Sequence, residues 1–348
     1  MATVIHQTSD SVSMAASATG YFQSASGGLT LNSGTESLMK VIWREGGTLS
    51  NLYINILTND RAASTFRTRK ATANANLVVS ITGSTTGKFE DTVNTDAVTA
   101  GDDWHYSLIT GAGGTVFTFF VTQVLFAATT NTVQRLGGYV SAAFTNASST
   151  IPGPFYGNGT FTAGEADSLN GITLRTAGTL QNLHVNISAN ARTTATTFKS
   201  RIDGADGNLS VSVGGSATGS FEDTANSNSV ASGSYINWAA ATGTGTESIR
   251  ARGVHASFVT TNGQQNYTSG VGGGLSQAAG NTHYYSLAGK ITSAATETQV
   301  LAETNLAFTA SLLQCNISAN TIVLDSTLTL RKNSGVANQT VTITALTT

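Results

Sequence analysis

Apolar and polar residues alternate with period two in short stretches, and one such stretch is written three times. Leu52, Ile54 and Ile56 alternate with Asn51, Tyr53 and Asn55, the signature of a strand with one buried face. The same parity returns at Leu183, Val185 and Ile187, and again at Leu313, Cys315 and Ile317. A second strand alternates Leu77, Val79 and Ile81, matched by Leu209, Val211 and Val213 and then by Val341 and Ile343. Asn- and Gly-rich clusters at 74–76, 204–208 and 333–335 separate these strands as turns. Residues 160–176 and 290–306 lack sustained helical spacing, and β-branched Thr and Val abound. The pattern predicts an all-β chain.

The repetition sets the domain organisation. Asn186 to Asn190 recurs letter for letter at Asn316 to Asn320, 130 residues on, and the marker Phe89-Glu90-Asp91-Thr92 returns as Phe221-Glu222-Asp223-Thr224, 132 residues on, with no third occurrence. An aromatic pair opens each copy, at Tyr21-Phe22, Phe155-Tyr156 and Tyr284-Tyr285. Two complete tandem β-sandwiches, jelly-roll or immunoglobulin-like, and a partial third are expected, each full copy having room for about eight strands. The predicted division is an N-terminal arm over 1–19, repeat one over 20–130, a linker over 131–152 that Pro152 and Pro154 close, repeat two over 153–262, a linker over 263–281 and the partial repeat over 282–348. Half a sandwich leaves an open core face and unpaired strand edges, which proteins seldom leave bare. Its apolar residues Leu328, Leu330, Val341, Ile343 and Leu346 are therefore the predicted interaction surface, covered by another subunit, another part of the chain or a partner. Residues 1–19 are a candidate donor strand.

Charged residues make up 10% of the chain and the net charge is −2, so the electrostatic footprint for nucleic acid or an anionic membrane is missing. No apolar run reaches the length of a membrane helix, and the first ten residues have neither a basic nor an apolar leader region. The expectation is a soluble protein made without a secretion signal.

Candidate chemistry is sparse. Asp91, Asn94 and Asp96, and in the second copy Asp223, Asn226 and Asn228, offer oxygen ligands that suit calcium, without the spacing of an EF-hand loop. The competing reading is that these side chains close turns through backbone N–H groups. Adjacent Glu90 and Asp91 diverge on a strand, a poor geometry for paired acid–base work. His6, His105, His184, His255 and His283 are isolated and read as surface residues; Cys315 stands in the place of Ile54 and Val185, a core slot. Trp43, Trp104 and Trp238 belong to the scaffold or, alternatively, line a carbohydrate groove. No catalytic residues and no cofactor are expected.

The Leu-x-Val/Ile-x-Ile strands, the Thr-Leu-Arg-Lys-Asn run at 329–333 and the Thr-Gly-x-Phe-Glu-Asp-Thr-x-Asn turns at 86–94 and 218–226 together resemble virion structural proteins of tailed bacteriophages built from tandem sandwich modules. The resemblance is one of style across most of the chain. It implies a non-enzymatic capsid decoration or tail-fibre protein, assembled in the host cytoplasm, whose partners are copies of itself and other virion proteins, with a host-surface glycan as a further partner. The alternatives are a cell-surface filament subunit or adhesin joined by strand donation, a carbohydrate-binding module, and a double jelly-roll capsid shell, which the partial third copy weakens.

Overall fold

The computed structural model describes all residues except 1–2, 25–33, 141, 154, 156, 160, 162–170, 271–275, 291–293, 295, 303–305, 318 and 347–348. Strands β1 (Thr3–Ser13), β2 (Thr19–Gln23), β3 (Val41–Ile42), β4 (Gly47–Asn59), β5 (Ser64–Lys70), β6 (Ala73–Ile81), β7 (Gly87–Val98), β8 (Asp103–Ile109) and β9 (Phe117–Ala128) form the first sandwich. One sheet has the order β1-β9-β4-β7 and the facing sheet β2-β8-β5-β6, with short β3 also on β8. Chain order wrapped in this way is a jelly roll, two Greek keys closed into one sandwich.

The second sandwich repeats it. Strands β10 (Thr132–Val140), β11 (Thr150–Gly153), β12 (Gly157–Gly159), β13 (Ile172–Thr173), β14 (Gly178–Asn190), β15 (Thr196–Ile202), β16 (Ala205–Val213), β17 (Gly219–Val230), β18 (Tyr235–Thr242) and β19 (Ile249–Thr260) give sheets β12-β10-β19-β14-β17 and β11-β18-β15-β16, with β13 on β18. The chain is thus all-β with tandem jelly-roll sandwiches. Among the described residues no helix is long and apolar enough to cross a membrane.

These strand positions correct three expectations. Residues 3–13 are not an arm or a donor for another copy: β1 pairs antiparallel with β9 along its length and completes its own sandwich. Residues 131–152 are not a linker, since β10 pairs with β19 and β11 with β18. The aromatic pairs are not all equivalent: Phe22 lies opposite Tyr106, whereas Gly153 lies opposite Trp238, the matching tryptophan-strand position. A Cβ on Gly153 would meet the Phe161 ring at 2.4 Å. Phe155 falls two residues later and stacks on Trp238 with centroids 4.6 Å apart. Pro154 and Tyr156 lie outside the described residues.

The remaining chain contains β20 (Ser269–Gly270) paired with β21 (Gly289–Lys290), and the hairpin β22 (Ser326–Lys332) with β23 (Gly335–Ile343). That hairpin keeps the register of its two counterparts: Ser326 opposes Ile343 as Ser64 opposes Ile81 and Thr196 opposes Val213. Backbone landmarks recur as well. Asn51, Asn182 and Leu312 have φ of 54°, 57° and 61°, and the first two sit at register shifts in β4 and β14. Asn tolerates this left-handed geometry better than most residues. The segment after Leu312 thus starts as β4 and β14 do, but among the described residues no strand flanks it.

A repeated staple ties the end of β4 to the chain after β6, the end of β14 to the chain after β16, and Asn320 to the chain after β23. Asn59, Asn190 and Asn320 accept from the amides of Arg61, Arg192 and Ile322 at 2.9, 3.1 and 3.0 Å. Their amide groups donate to Thr85, Ala217 and Thr344 carbonyls, each at 3.0 Å. The residue that follows differs for a physical reason. Fully buried Arg192 donates to the carbonyls of Asn146, Gly243, Gly245 and Glu247, and Arg61 to those of Met14, Gly113 and Gly114; all seven lie in the chain just after β1 and β10 or in the β8–β9 and β18–β19 connections. Ile322 stands at that point in the third copy. Replacing Arg192 by the isoleucine found there, Arg192→Ile, removes the buried guanidinium from the four carbonyls it caps and is expected to cost about 3 kcal/mol, read as a lower urea midpoint at unchanged m-value.

Candidate functional site

The repeated carboxylates act as clamps between the two sheets of each sandwich. Asp91 on β7 accepts from the Val78 amide of β6 at 2.8 Å and from the Val93 and Asn94 amides and the Asn94 side chain. Asp223 on β17 does the same with Ser210, Ala225 and Asn226. Asp96 accepts from Thr68 Oγ1, Asn76 N and Leu77 N, and Asn228 from Ser200 Oγ and Leu209 N. Burial acts to raise the Asp91 and Asp223 carboxyls, and the amide donors outweigh it, holding both below the usual carboxylate range. These oxygens are occupied by protein donors, as the turn reading requires, and among the described residues no cluster of His, Cys, Asp and Glu suits a metal ion.

The histidines depart from expectation. His6, His105, His184 and His255 are buried, at 1% exposure or less; only His283 is partly open. His184 does point away from its own core, as its parity demands, but that outer sheet face is itself covered. There the sandwiches meet. His184 lies against His255, ring centroids 6.3 Å apart, and His6 packs edge-on to Trp43 at 4.9 Å. Burial pushes His6 and His184 down to about 3, with the Arg135 charge adding to the effect, and drives His255 well below its ordinary value.

Trp43, Trp104 and Trp238 are core residues, exposed by no more than 2%, which removes them from any surface groove. Cys315 is half-buried, and burial pushes its thiol up. Leu328, Leu330, Val341 and Ile343 lie half-buried on the β22–β23 hairpin, where Phe66, Val79 and Ile81 of the first copy are buried. Leu346 is 64% exposed.

The joint between first and second sandwiches is polar and specific. The 3-10 turn Glu36–Leu38, in the connection from β2 to β4, lies on the outer face of β14, where Asn186 donates to the Ser37 carbonyl at 3.3 Å. Asn182 donates to Glu45 at 3.1 Å, and Arg44 grips Glu222 with two nitrogens. Arg135, fully buried, donates to Ser257 Oγ at 2.8 Å and faces Glu45 and Glu222. The turn is anchored from behind, where Glu36 accepts from Arg69 at 2.5 Å and pairs with His105 at 2.7 Å, while Arg69 sits over the Tyr21 ring.

The same joint occurs again between third and first copies. The 3-10 turn Glu297–Gln299 lies on the outer face of β4, and Asn55 donates to the Thr298 carbonyl at 3.3 Å. Glu297 pairs with Arg331 at 2.8 Å, and Arg331 sits over Tyr284. Tyr53 donates to the Leu301 carbonyl, and Tyr53, Phe120, Val121, Ala294 and Val300 form an apolar cluster across the contact. Asn55 and Asn186 occupy matching positions in their copies, and so do Glu36 and Glu297, and Arg69 and Arg331. The sequence carried a signal for this joint that periodicity does not register: an acidic residue followed by a hydroxyl, Glu36-Ser37 ahead of β4 and Glu297-Thr298 ahead of the matching segment after Leu312.

No protein-family model matches this sequence, and no curated protein matches it. Among solved structures the chain is similar to the one described as "Crystal Structure of the STIV MCP", a viral major capsid protein, with 11% sequence identity and a TM-score of 0.24, over 74% of this chain and 97% of that one.

The buried histidines set a pH dependence. Above pH 6.5 folded and unfolded states are both neutral at these rings, and stability is full. As pH falls from 6.5 toward 3, the unfolded chain takes up protons that folded His6 and His184 refuse, so stability declines by about 1.4 kcal/mol per pH unit for each ring. His184→Gln, which installs the residue the third copy carries at Gln314, is expected to flatten the fall in urea midpoint between pH 6 and 4. A variant profile parallel to the parent's contradicts the assignment.

Proposed function

We propose that the protein is a non-enzymatic structural subunit of a virus particle that self-associates side by side. The observation that carries this reading is the twice-used joint between jelly-roll sandwiches. Identical patches meeting head to tail build rings and larger lattices from one module, and the jelly roll is a fold that viral capsid domains use. Low charge and a wealth of small polar residues suit a surface that packs against copies of itself. The finer role within this reading is a capsid-associated or decoration protein rather than a fibre, because the joints sit on sheet faces and set modules beside one another instead of end to end.

The half-buried face of the β22–β23 hairpin is the proposed self-association surface. Sedimentation velocity and electron microscopy of the purified chain at rising concentration test this. Discrete oligomers or sheets are expected, and Leu328→Asp with Val341→Asp is expected to shift the protein toward monomer while moving the melting temperature by only a degree or two. A parent chain that stays monomeric at every concentration sinks the proposal. The filament or adhesin reading predicts instead that an added strand peptide blocks assembly.

A further inference from the structure

The two joints between modules share an asparagine and a turn, and they differ in what can take up a proton. On the outer face of β4, Tyr53 lies between Glu90 of β7 and Gln123 of β9. The matching row on β14 places His184 between Glu222 of β17 and His255 of β19. A tyrosine and a glutamine in one socket are thus two imidazoles in the other. We infer that the joint between first and second sandwiches is an acid-operated latch: protons taken up at His184 and His255 release the first sandwich from the second, while the third copy stays docked on the first.

The imidazoles are built into the contact. The His255 ring fills space left by two glycines: a Cβ on Gly137 of β10 would meet its Cδ2 at 2.3 Å, and a Cβ on Gly253 would meet its Cε1 at 2.4 Å. The same point on Gly253 is 2.6 Å from Nε2 of Gln23, a first-sandwich side chain that donates to the Arg252 carbonyl at 3.2 Å. The ring is therefore wedged where the two sandwiches touch. His184 stacks beside it, both rings being buried, and among the described residues neither His184 nitrogen has a hydrogen-bond partner.

The charges around the pair oppose a further positive one. Glu222 stands on β17, Arg135 on β10 with Tyr139, Arg252 on β19, Arg44 and Glu45 between β3 and β4, Glu36 on the turn before β3, and His6 on β1. Arg44 and Arg135 face Glu45 and Glu222, two charges against two. Glu222 is committed to Arg44, Glu45 accepts from Asn182, Glu36 is held by Arg69 and His105, and Arg252 by the Tyr139 hydroxyl and ring. A proton on either imidazole therefore adds a buried charge without a carboxylate to balance it. Both rings hold protons less readily in the closed joint than in water, so closure is fully favoured above pH 6.5 and progressively less as pH falls.

The rest of the molecule resists acid better. The Asp91 and Asp223 clamps inside the sandwiches stay charged below the usual carboxylate range, and their contribution is lost only at lower pH. At the other joint the packed cluster of Tyr53, Phe120, Val121, Ala294 and Val300 is not charged, and Arg331 holds the Glu297 carboxyl below its ordinary value. Opening falls between about pH 4 and 3, where His184 of the closed joint, pushed down to about 3, itself begins to take protons. The inference stands on the joint and does not depend on a virion role.

Hydroxyl-radical footprinting of the full-length chain from pH 7 to 3 tests it, with oxidation at each position normalised to a synthetic peptide at the same pH. His184 and His255 are expected to gain at least about five-fold in reactivity between pH 4 and 3, reversibly, while Tyr53, Phe120, Trp104 and Trp238 change by less than about two-fold. The latch is overturned if both histidines stay protected down to pH 3. It is equally overturned if Tyr53 and Trp238 rise with them, which marks unfolding of the whole chain. His184→Gln removes one of the two proton acceptors and is expected to move the rise at His255 down by at least about half a pH unit; a rise at the parent's pH contradicts the assignment. Where that variant does not fold, the parent pattern decides by itself.

Discussion

A sandwich sheet can bury only one of its faces against its own partner sheet, and in this protein the central strands are buried on both. Along β9 every residue from Phe119 to Phe126 is buried, and along β10 every residue from Thr132 to Val140. The outer faces therefore have to be covered from elsewhere, because apolar Tyr53, Phe120 and Val121 and polar His184, Asn186 and Arg135 cannot all lie bare in a stable fold. That requirement organises the rest of the molecule. It explains why a connection as long as that from β2 to β4 exists, why it carries a short turn whose Ser37 carbonyl accepts from the neighbouring sheet, and why an asparagine stands at the same place on each of the two sheets so covered.

Polar groups give the joint its register, and at the contact of the third copy with the first an apolar cluster of Tyr53, Phe120, Val121, Ala294 and Val300 adds burial. Each Asn-to-carbonyl bond contributes about 1 kcal/mol net, too little to hold modules together, but a misplaced turn leaves a buried amide unpaired at greater cost. The charged residues at the first joint work in the same sense. The Glu222 carboxylate raises the Arg44 guanidinium through a direct hydrogen bond, while burial depresses Arg135 against the pull of Glu45 and Glu222. A buried set of this kind is weak as a source of stability and strong as a selector of one arrangement. The Asp and Asn clamps from β7 to β6 and from β17 to β16 do the corresponding task inside each sandwich, tying together two sheets whose edges would otherwise show bare amides.

The all-β class and the tandem sandwiches were legible in the sequence because inner-face parity at Leu52, Ile54 and Ile56 and its copies is dictated by one buried face. The first strand of each sandwich was not legible. His6, Gln7, Gln134 and Arg135 break the apolar pattern, and β1 and β10 consequently read as an arm and a linker. Gln7 donates to the Ala288 carbonyl and Gln134 exchanges bonds with Asn266, partners far off in sequence that no single-strand pattern contains. His184 is the same lesson in one residue: its outward direction follows from parity, but its burial follows from a loop more than a hundred residues away in sequence. The misaligned pair at Phe155 arose because Gly153 and Phe161 together replace one aromatic side chain, so a residue-for-residue comparison slips by two.

The central claim is that the outer sheet faces are closed by neighbouring modules. Titration of the imidazole nitrogens by NMR, in intact protein labelled at histidine, addresses it directly. His6 and His184 are predicted to remain neutral as pH falls through 6.5 and down to about 4, and His255 to stay neutral well below its ordinary value. Titration of His184 and His255 near 6.5 in the folded chain would show those faces open to water and contradict the account.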